Sequence, residues 1–532
     1  MLSLVPLADG GAAKGPAMLT TEFLWHNERF RADKPAMIDW VRRLTNAQLA
    51  SRVRRLANAL RGLGIRPGEH VATLANNSSQ HMETVLAISA TGAAWVPLNT
   101  RLTAAELSFI IEDSEAVALI YSDDMQATVQ ELDPKLGALR HWIGFGGAGP
   151  GDDYEALVAK GADRAIDAGI DDHGLFALMY TSGTTGLPKG VMLPHRAFAL
   201  GAMLSALTLK ARENDVMLQM LPQFHAGGQI YQMAYQAAGA TIVAAPGWDE
   251  AKVFELIETE GITIGAFVPA MLTMLLEAPG IAETDFSGFE RVMYGAAPIA
   301  EDRLRQAMER TGAGFQQTYG LTETGVLVSV LDETDHRRGL TEDPAILRSC
   351  GRAVVGYDLE IAGDGGDRLP VGEVGELIVR SETLMSGYWK RPDATTETLV
   401  DGWLHTGDLA WRDEAGRFYV VGRKKEMIIS GGENVYPVEV ENVVSAHPDV
   451  LEVAVIGVPD DKWGEAVKAV VVPREGCQPN EAEIVDYCQG KLAGFKRPRS
   501  VDFIDKLPRN ASGKITKKVL MDKYWTGRER RI

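Results

Sequence analysis

A chain of 532 residues exceeds what one hydrophobic core fills, so two or more domains are expected. Hydrophobic residues at 45% and charged residues at 24% describe a soluble globular protein. The net charge of −18 argues against nucleic acid and anionic membrane surfaces as main partners. That charge is uneven: Lys496 to Ile532 carries 12 Lys+Arg against 4 Asp+Glu, a local +8 that leaves −26 on the remainder. Such a tail suits a polyanionic ligand or a plain solvated surface. Cys350, Cys477 and Cys488 show no CxxC spacing and no His at zinc spacing, and they read as bystanders in a cytoplasmic protein. Met1 to Leu19 lacks the basic start of a signal peptide. The longest uncharged stretch, Thr84 to Thr100, is too short for a membrane span.

In chain order, Thr45-Asn46-Ala47-Gln48 is a capping-box pattern that opens a helix with Leu49, Val53, Leu56, Leu60 and Leu63 on one face. Strand-like runs follow at Val71 to Ala75, Ala94 to Pro97 and Ala116 to Tyr121, separated by helices from Gln80 and from Ala104. The rhythm continues with helices at Arg196 to Leu209, Glu250 to Glu260 and Ala300 to Arg310. Strands fall at Val216 to Met220, Thr241 to Ala245, Ile262 to Phe267 and Arg291 to Tyr294. This βαβα alternation predicts an α/β fold with largely parallel sheet and helices on both faces. From Val354 the pattern turns to short strands and hairpins, and beyond Arg423 to Glu426 lies an α+β unit of about 108 residues. That unit holds a helix from Pro437, strands at Val450 to Val458 and Val467 to Val472, a helix up to Leu492 and a strand at Ser500 to Ile504.

Between the strand-like runs Leu175 to Met179 and Val191 to Leu193 stands Tyr180-Thr181-Ser182-Gly183-Thr184-Thr185-Gly186-Leu187-Pro188-Lys189-Gly190. Glycines let backbone N–H groups approach an anion, hydroxyls add donors, and Lys189 adds charge. The spacing is not that of a Walker A loop, which leads into a helix. On loop chemistry alone, the polar turn of a β-hairpin explains the same residues.

Five further strings follow in order: Tyr294-Gly295-Ala296-Ala297-Pro298, Gln317-Thr318-Tyr319-Gly320-Leu321-Thr322-Glu323, Trp403-Leu404-His405-Thr406-Gly407-Asp408, Gly422-Arg423-Lys424-Lys425-Glu426-Met427-Ile428 and Pro508-Arg509-Asn510-Ala511-Ser512-Gly513-Lys514. Together with the loop they resemble the adenylate-forming enzymes over nearly the whole chain, in particular fatty-acyl and aryl-carboxylate CoA ligases. The resemblance implies a large N-terminal domain of βαβ-type sheets plus a small β-barrel-like part (residues 1–424) and a smaller mobile α+β C-terminal domain (residues 425–532). It implies that a carboxylic acid and ATP give acyl-AMP and pyrophosphate, and that CoA then gives acyl-CoA and AMP.

The resemblance also implies roles. Thr181, Ser182, Gly183, Thr184, Thr185, Gly186 and Lys189 would hold the ATP phosphates, with Gly295, Ala296, Ala297, Tyr319 and Gly320 around adenine. Thr322 would contact the AMP phosphate, Asp408 and Arg423 the ribose, and Glu323 with Thr184 would hold Mg²⁺, for which one carboxylate plus phosphates suffices. Lys514 would stabilise charge at the α-phosphorus, His225 would sit beside the carboxylate, and Lys425 would be the hinge of domain rotation. CoA would meet Arg101, Gly431, Gly432, Trp463, Phe495 and Arg497. The uncharged stretch Gly265 to Leu272, with Phe267, Val268 and Met271, would line an acyl pocket and favours an apolar tail, most simply a medium- or long-chain fatty acid. Aryl or arylpropenoic acids stay open as substrates, as does a free-standing adenylation enzyme that loads a separate carrier protein. Nucleic acid and an integral membrane segment are not expected, and the resemblance admits a homodimer.

Overall fold

The computed structural model describes residues 17–132, 136–146, 149–166, 168–181, 187–296, 299–325, 327–509 and 515–526. Among the described residues the strands form four sheets. In an eight-stranded sheet, the strands Leu175–Thr181, Ala94–Pro97, His70–Leu74, Ala116–Tyr121 and His141–Gly144 run parallel side by side. In a nine-stranded sheet the parallel run is Gly314–Tyr319, Arg291–Gly295, Ile264–Phe267, Val216–Gln219, Thr241–Ala244 and Pro35–Ile38. The expected alternation is therefore present, divided between two sheets.

Side-chain alternation along each strand decides what each face meets. Met217, Ile264, Ala266 and Met293 share one core with Tyr231, Met233 and Tyr235 of helix Ala226–Ala237. Their neighbours Leu218, Phe267, Val292, Tyr294 and Phe315 point the other way, into a core with Val253, Leu272 and Leu304. The first core also takes Val71, Trp95, Ala118 and Ile120 from the eight-stranded sheet and Leu49, Val53 and Leu56 from helix Asn46–Gly62. One helical layer thus lies between the two sheets and is sealed by both. Burying each such Leu, Ile or Val contributes about 1.5–3 kcal/mol, so the strand ends sit on a rigid frame.

Local signals match. Thr45 and Gln48 form the capping box, as do Thr103 and Glu106 for helix Ala104–Asp113. Gly92, at φ +79°, closes helix Ser79–Thr91. Helix Ala226–Ala237 has no counterpart in the sequence reading, because two glycines and buried glutamines mask its apolar period. Helix Pro269–Glu277 was likewise read only as pocket wall. The helix expected to reach Leu492 ends at Tyr487.

The strands Asp358–Ala362, Gly375–Arg380, Leu399–Val400, Trp403–Arg412 and Phe418–Arg423 form an antiparallel hairpin sheet, the expected barrel-like part, which does not close on itself among the described residues. After it a smaller C-terminal domain builds its own sheet from Ile428–Ser430, Glu433–Val435, Val450–Asp460, Gly464–Pro473 and Ser500–Phe503. Its two cores draw only on its own residues, on one face Val440, Val467 and Ile484 and on the other Ala454, Leu507 and Leu520. No helix among the described residues is long and apolar enough to cross a membrane.

His81, His195 and His336 are each at most 1% exposed in this frame. His81 bonds Thr73, His195 bonds Thr20, and His336 bridges the Tyr294 hydroxyl and the Asp332 carbonyl. Burial pushes each imidazole down to about 4. The folded state then refuses protons that the unfolded chain accepts, so this stability is complete above pH 6.5 and lost as pH falls towards 4. Urea unfolding should weaken over that window by up to about 3 kcal/mol per histidine. His336→Gln should show a shallower decline, and an unchanged slope would exclude His336 as a contributor.

Candidate active site

The phosphate-loop candidate closes a hairpin: Leu175–Thr181 pairs antiparallel with Lys189–Pro194, and Thr181 lies opposite Lys189. Turn and anion loop are thus the same piece of backbone. Ser182, Gly183, Thr184, Thr185 and Gly186 lie outside the described residues. The hairpin base is tied down, since the Tyr180 hydroxyl donates to Asp113 at 2.6 Å and Arg391 pairs with the same carboxylate at 3.1 Å. Lys189 extends over the ring of Tyr388, its ammonium 5.1 Å from the centroid.

Two parallel strands end beside one another at Gly295 and Tyr319. A Cβ on Gly295 would lie 2.6 Å from the Thr318 carbonyl and hydroxyl, so only glycine fits. Ala296 follows at φ +67°, a left-handed conformation that a residue with a Cβ adopts at a cost. Ala297 lies outside the described residues. Beyond Tyr319, Gly320 is exposed, and Thr322–Thr324 makes one 3-10 turn that ends on Gly325 at φ +68°. There the Glu323 carboxylate accepts from the Tyr388 hydroxyl at 3.0 Å.

The Tyr319 hydroxyl donates to one oxygen of Asp408 at 2.6 Å, and Arg423 Nε meets the other at 2.8 Å. Asp408 and Arg423 face each other across the hairpin ladder, and Asp408 is only 4% exposed. Burial, then the Asp408 charge, pushes the Tyr319 phenol well above its usual range, so it stays a donor. Three residues from separate motifs are thus one hydrogen-bonded group.

His225 is the N-cap of helix Ala226–Ala237, with its ring 4.8 Å from Phe224. A carboxylate beside it would meet the positive end of that helix. On the same helix the Tyr231 hydroxyl bonds Thr318 at 2.5 Å, a bridge to the strand that carries Tyr319. No sequence motif marks this bridge. Of the acyl-pocket candidates, Val268 and Met271 are half-buried at the start of helix Pro269–Glu277. Phe267 is a correction: it is fully buried, edge-on to Phe289, in the core on the far face of the sheet. Alternation gives the face towards Tyr231 to Ala266 instead.

Lys425 lies in the short turn Lys424–Glu426, between the last hairpin strand and the C-terminal sheet. Lys514 lies outside the described residues, with Arg509 and Ile515 bridged on either side of that segment. Among the CoA candidates, Gly431 and Gly432 form a hairpin turn at φ +66° and +87°, and a Cβ on Gly431 would strike the Trp463 ring. That ring carries Lys462 and Arg499 at 4.7 and 4.6 Å. Phe495 packs against the C-terminal core, Arg497 is half-buried beside Gly494, and Arg101 is exposed on the N-terminal domain. Among the described residues no group of three or more His, Cys, Asp or Glu could hold a metal. A Mg²⁺ ion at Glu323 would therefore take its other ligands from phosphates and water, which fits a single carboxylate.

Residues 23–389 match the AMP-binding enzyme family, and residues 439–514 match the AMP-binding enzyme C-terminal domain. This chain belongs to the AMP-binding enzymes. It is 37% identical to the fatty acid–[acyl-carrier-protein] ligase ScoC of Streptomyces coeruleorubidus over 515 residues, 94% of this chain and 95% of the relative. It is 39% identical to a feruloyl-CoA synthase of Amycolatopsis sp over 475 residues, 89% and 92% of the two chains. Its fold is similar to that of the anthranilate CoA ligase AuaEII in complex with anthranoyl-AMP, with TM-score 0.87, 29% identity, and coverage of 96% and 98%. The chain is an AMP-forming acid–thiol ligase of the adenylate-forming superfamily, an acyl-CoA synthetase that uses ATP and CoA.

The shared carboxylate gives a direct test in this AMP-binding enzyme. Asp408→Ala should weaken AMP binding in calorimetry by about 10- to 100-fold, the worth of hydrogen bonds to a charged group. Unchanged AMP affinity would remove Asp408 from the nucleotide site.

Proposed function

We propose that this ligase activates a carboxylic acid with an uncharged body, a medium- or long-chain fatty acid, and passes it to CoA. One observation carries the uncharged body: Gln219 to Ala237, the stretch that contains His225, and Ile264 to Leu276 contain no Asp, Glu, Lys or Arg. An ammonium or second carboxylate on the substrate would have no partner there. We assign Ala266 and Val268 to the wall of the acyl pocket, whereas Met271 packs against the far-face core that holds Phe267. The Tyr231–Thr318 bridge favours a second reading, a compact aryl or arylpropenoic acid, because it ties helix Ala226–Ala237 to the strand that carries Tyr319 and would limit the depth available between them. The feruloyl-CoA synthase and the anthranilate ligase among the relatives support that reading, and ScoC supports the fatty one. ScoC also keeps a separate carrier protein as a rival acceptor.

In the first half-reaction the acid's carboxylate, oriented at His225 and Thr322, attacks the α-phosphorus and pyrophosphate leaves. No enzyme nucleophile is needed. The hydroxyls and N–H groups of Thr181 to Gly186 and the Lys189 ammonium bind the departing phosphates, and Asp408 and Arg423 hold the ribose. Mg²⁺ at Glu323 and Thr184 would neutralise phosphate charge. Lys514 brings a cation to the α-phosphorus as charge builds. In the second half-reaction the CoA thiol attacks the acyl carbonyl and AMP leaves, with the CoA against Arg101, Gly431, Gly432, Trp463, Phe495 and Arg497. We assign residues 1–424 and 425–532 to the two domains, with rotation about Lys425 between the steps, in a cytoplasmic enzyme.

Lys514→Ala should slow acyl-adenylate formation about 10²–10³-fold and spare thioester formation from supplied acyl-AMP; equal loss of both would overturn its role. A panel of octanoate, palmitate, ferulate and anthranilate with ATP, Mg²⁺ and CoA, scored by AMP release, should single out the alkyl acids. Preference for ferulate or anthranilate would establish the aryl reading, and acylation of a carrier protein but not CoA would move the acceptor.

A further inference from the structure

Two residues assigned above to the first half-reaction converge on a third that no motif contains. The Lys189 ammonium lies over the Tyr388 ring, 5.1 Å from its centroid, and the hydroxyl of that ring donates to Glu323 Oε1 at 3.0 Å. Tyr388 is 9% exposed, on a two-residue strand that pairs with Val191, just past Lys189.

The backbone fixes the ring from several sides. Ser386 N–H donates to the Met192 carbonyl at 2.9 Å, and Trp389 N–H donates to the Gly190 carbonyl at 2.8 Å. Tyr388 N–H donates to the Thr395 hydroxyl at 2.9 Å, and Met385 N–H donates to the Glu323 carbonyl at 2.9 Å. The strand that carries Lys189 and the turn that carries Glu323 are thus both registered against the segment that carries Tyr388.

We propose that Tyr388 is a positioning residue for adenylation: its hydroxyl aims the Glu323 carboxylate, and its ring seats the Lys189 ammonium at the same mouth. A partner behind a metal-binding carboxylate limits its rotamers and keeps its remaining lone pairs directed at the ion. An aromatic face holds a lysine head without consuming its charge, so the cation stays available to phosphate. One phenol thereby sets the distance between the group that meets the metal and the group that meets the phosphates. The inference rests on reading Glu323 as a Mg²⁺ ligand and Lys189 as a phosphate ligand.

The test separates hydroxyl from ring. ATP binding is measured by calorimetry, without acid substrate, once with Mg²⁺ and once with EDTA. Tyr388→Phe should lower the Mg²⁺-dependent gain in ATP affinity by about tenfold or more and leave affinity in EDTA unchanged. Tyr388→Leu should also weaken binding in EDTA, by about threefold. Tyr388→Phe with the full Mg²⁺ gain would overturn the hydroxyl's role; Tyr388→Leu with wild-type affinity in EDTA would overturn the ring's role. Glu323→Gln and Lys189→Ala are run beside them. If Glu323→Gln keeps the Mg²⁺ gain, or Lys189→Ala keeps affinity in EDTA, the underlying assignment fails and the proposal falls with it. Thermal melts establish that each variant is folded, and if Tyr388→Leu is not, Tyr388→Phe still decides the hydroxyl.

Discussion

The geometry around the nucleotide end depends on one buried carboxylate. Asp408 is almost wholly removed from water, and a buried charge is tolerated only with partners on its oxygens. Those partners come from different bodies, the Tyr319 hydroxyl from the nine-stranded sheet and Arg423 from the last strand of the hairpin sheet. Satisfying the charge therefore fixes how the two sheets meet. The turn beneath it is locked in the same way: Thr406 donates to the Leu377 carbonyl and accepts from Asp408 N–H, while Gly407 takes φ +71°. A shift of the hairpin sheet would expose a buried charge, which makes this junction stiff exactly where two ribose contacts are proposed to stand.

From Arg423 the chain passes straight into the C-terminal domain, and the next residues divide their allegiance. Lys424 pairs with Glu376 and Asp364 of the hairpin sheet, whereas Glu426 pairs with Lys517, which also holds Glu441. Lys425, exposed, lies between a residue held by one domain and a residue held by the other. A rotation concentrated there would leave both cores intact, since neither sheet draws on that turn. The Lys424–Asp364 pair is exposed and contributes little, whereas the Lys517 pairs are largely shielded from water and belong to the C-terminal domain.

Much of this was legible in the sequence, for definite reasons. Capping boxes at Thr45 and Thr103 and the apolar runs at Ala94 to Pro97 and Ala116 to Tyr121 are local signals, and the elements follow them. The resemblance set Tyr319 at adenine and Asp408 and Arg423 at the ribose of one nucleotide site, but that the three bond one another is visible only in the structure. What stayed hidden was sidedness and long-range pairing. Phe267 and Ala266 are neighbours in an apolar run, and only the sheet reveals which of them faces helix Ala226–Ala237. Tyr388 and Tyr231 had no signature, since a tyrosine's function here depends on partners far away in the chain: Glu323 for one, Thr318 for the other.

The hairpin gives a physical reason for the two lysines proposed to meet one triphosphate. A phosphate loop that enters a helix gains the partial positive charge of the helix N-terminus, fixed in place. Here the loop enters the strand Lys189–Pro194, and adjacent strand dipoles largely cancel. Positive charge is then left to side chains, in the proposed reading Lys189 on the N-terminal domain and Lys514 on the other. On the proposed roles the triphosphate meets its full complement of cations only when the two domains are together. On the same proposed roles, departure of pyrophosphate would remove the anion that Lys189 and Lys514 share, which would free the C-terminal domain to present Trp463 and its flanking cations to the thiol substrate.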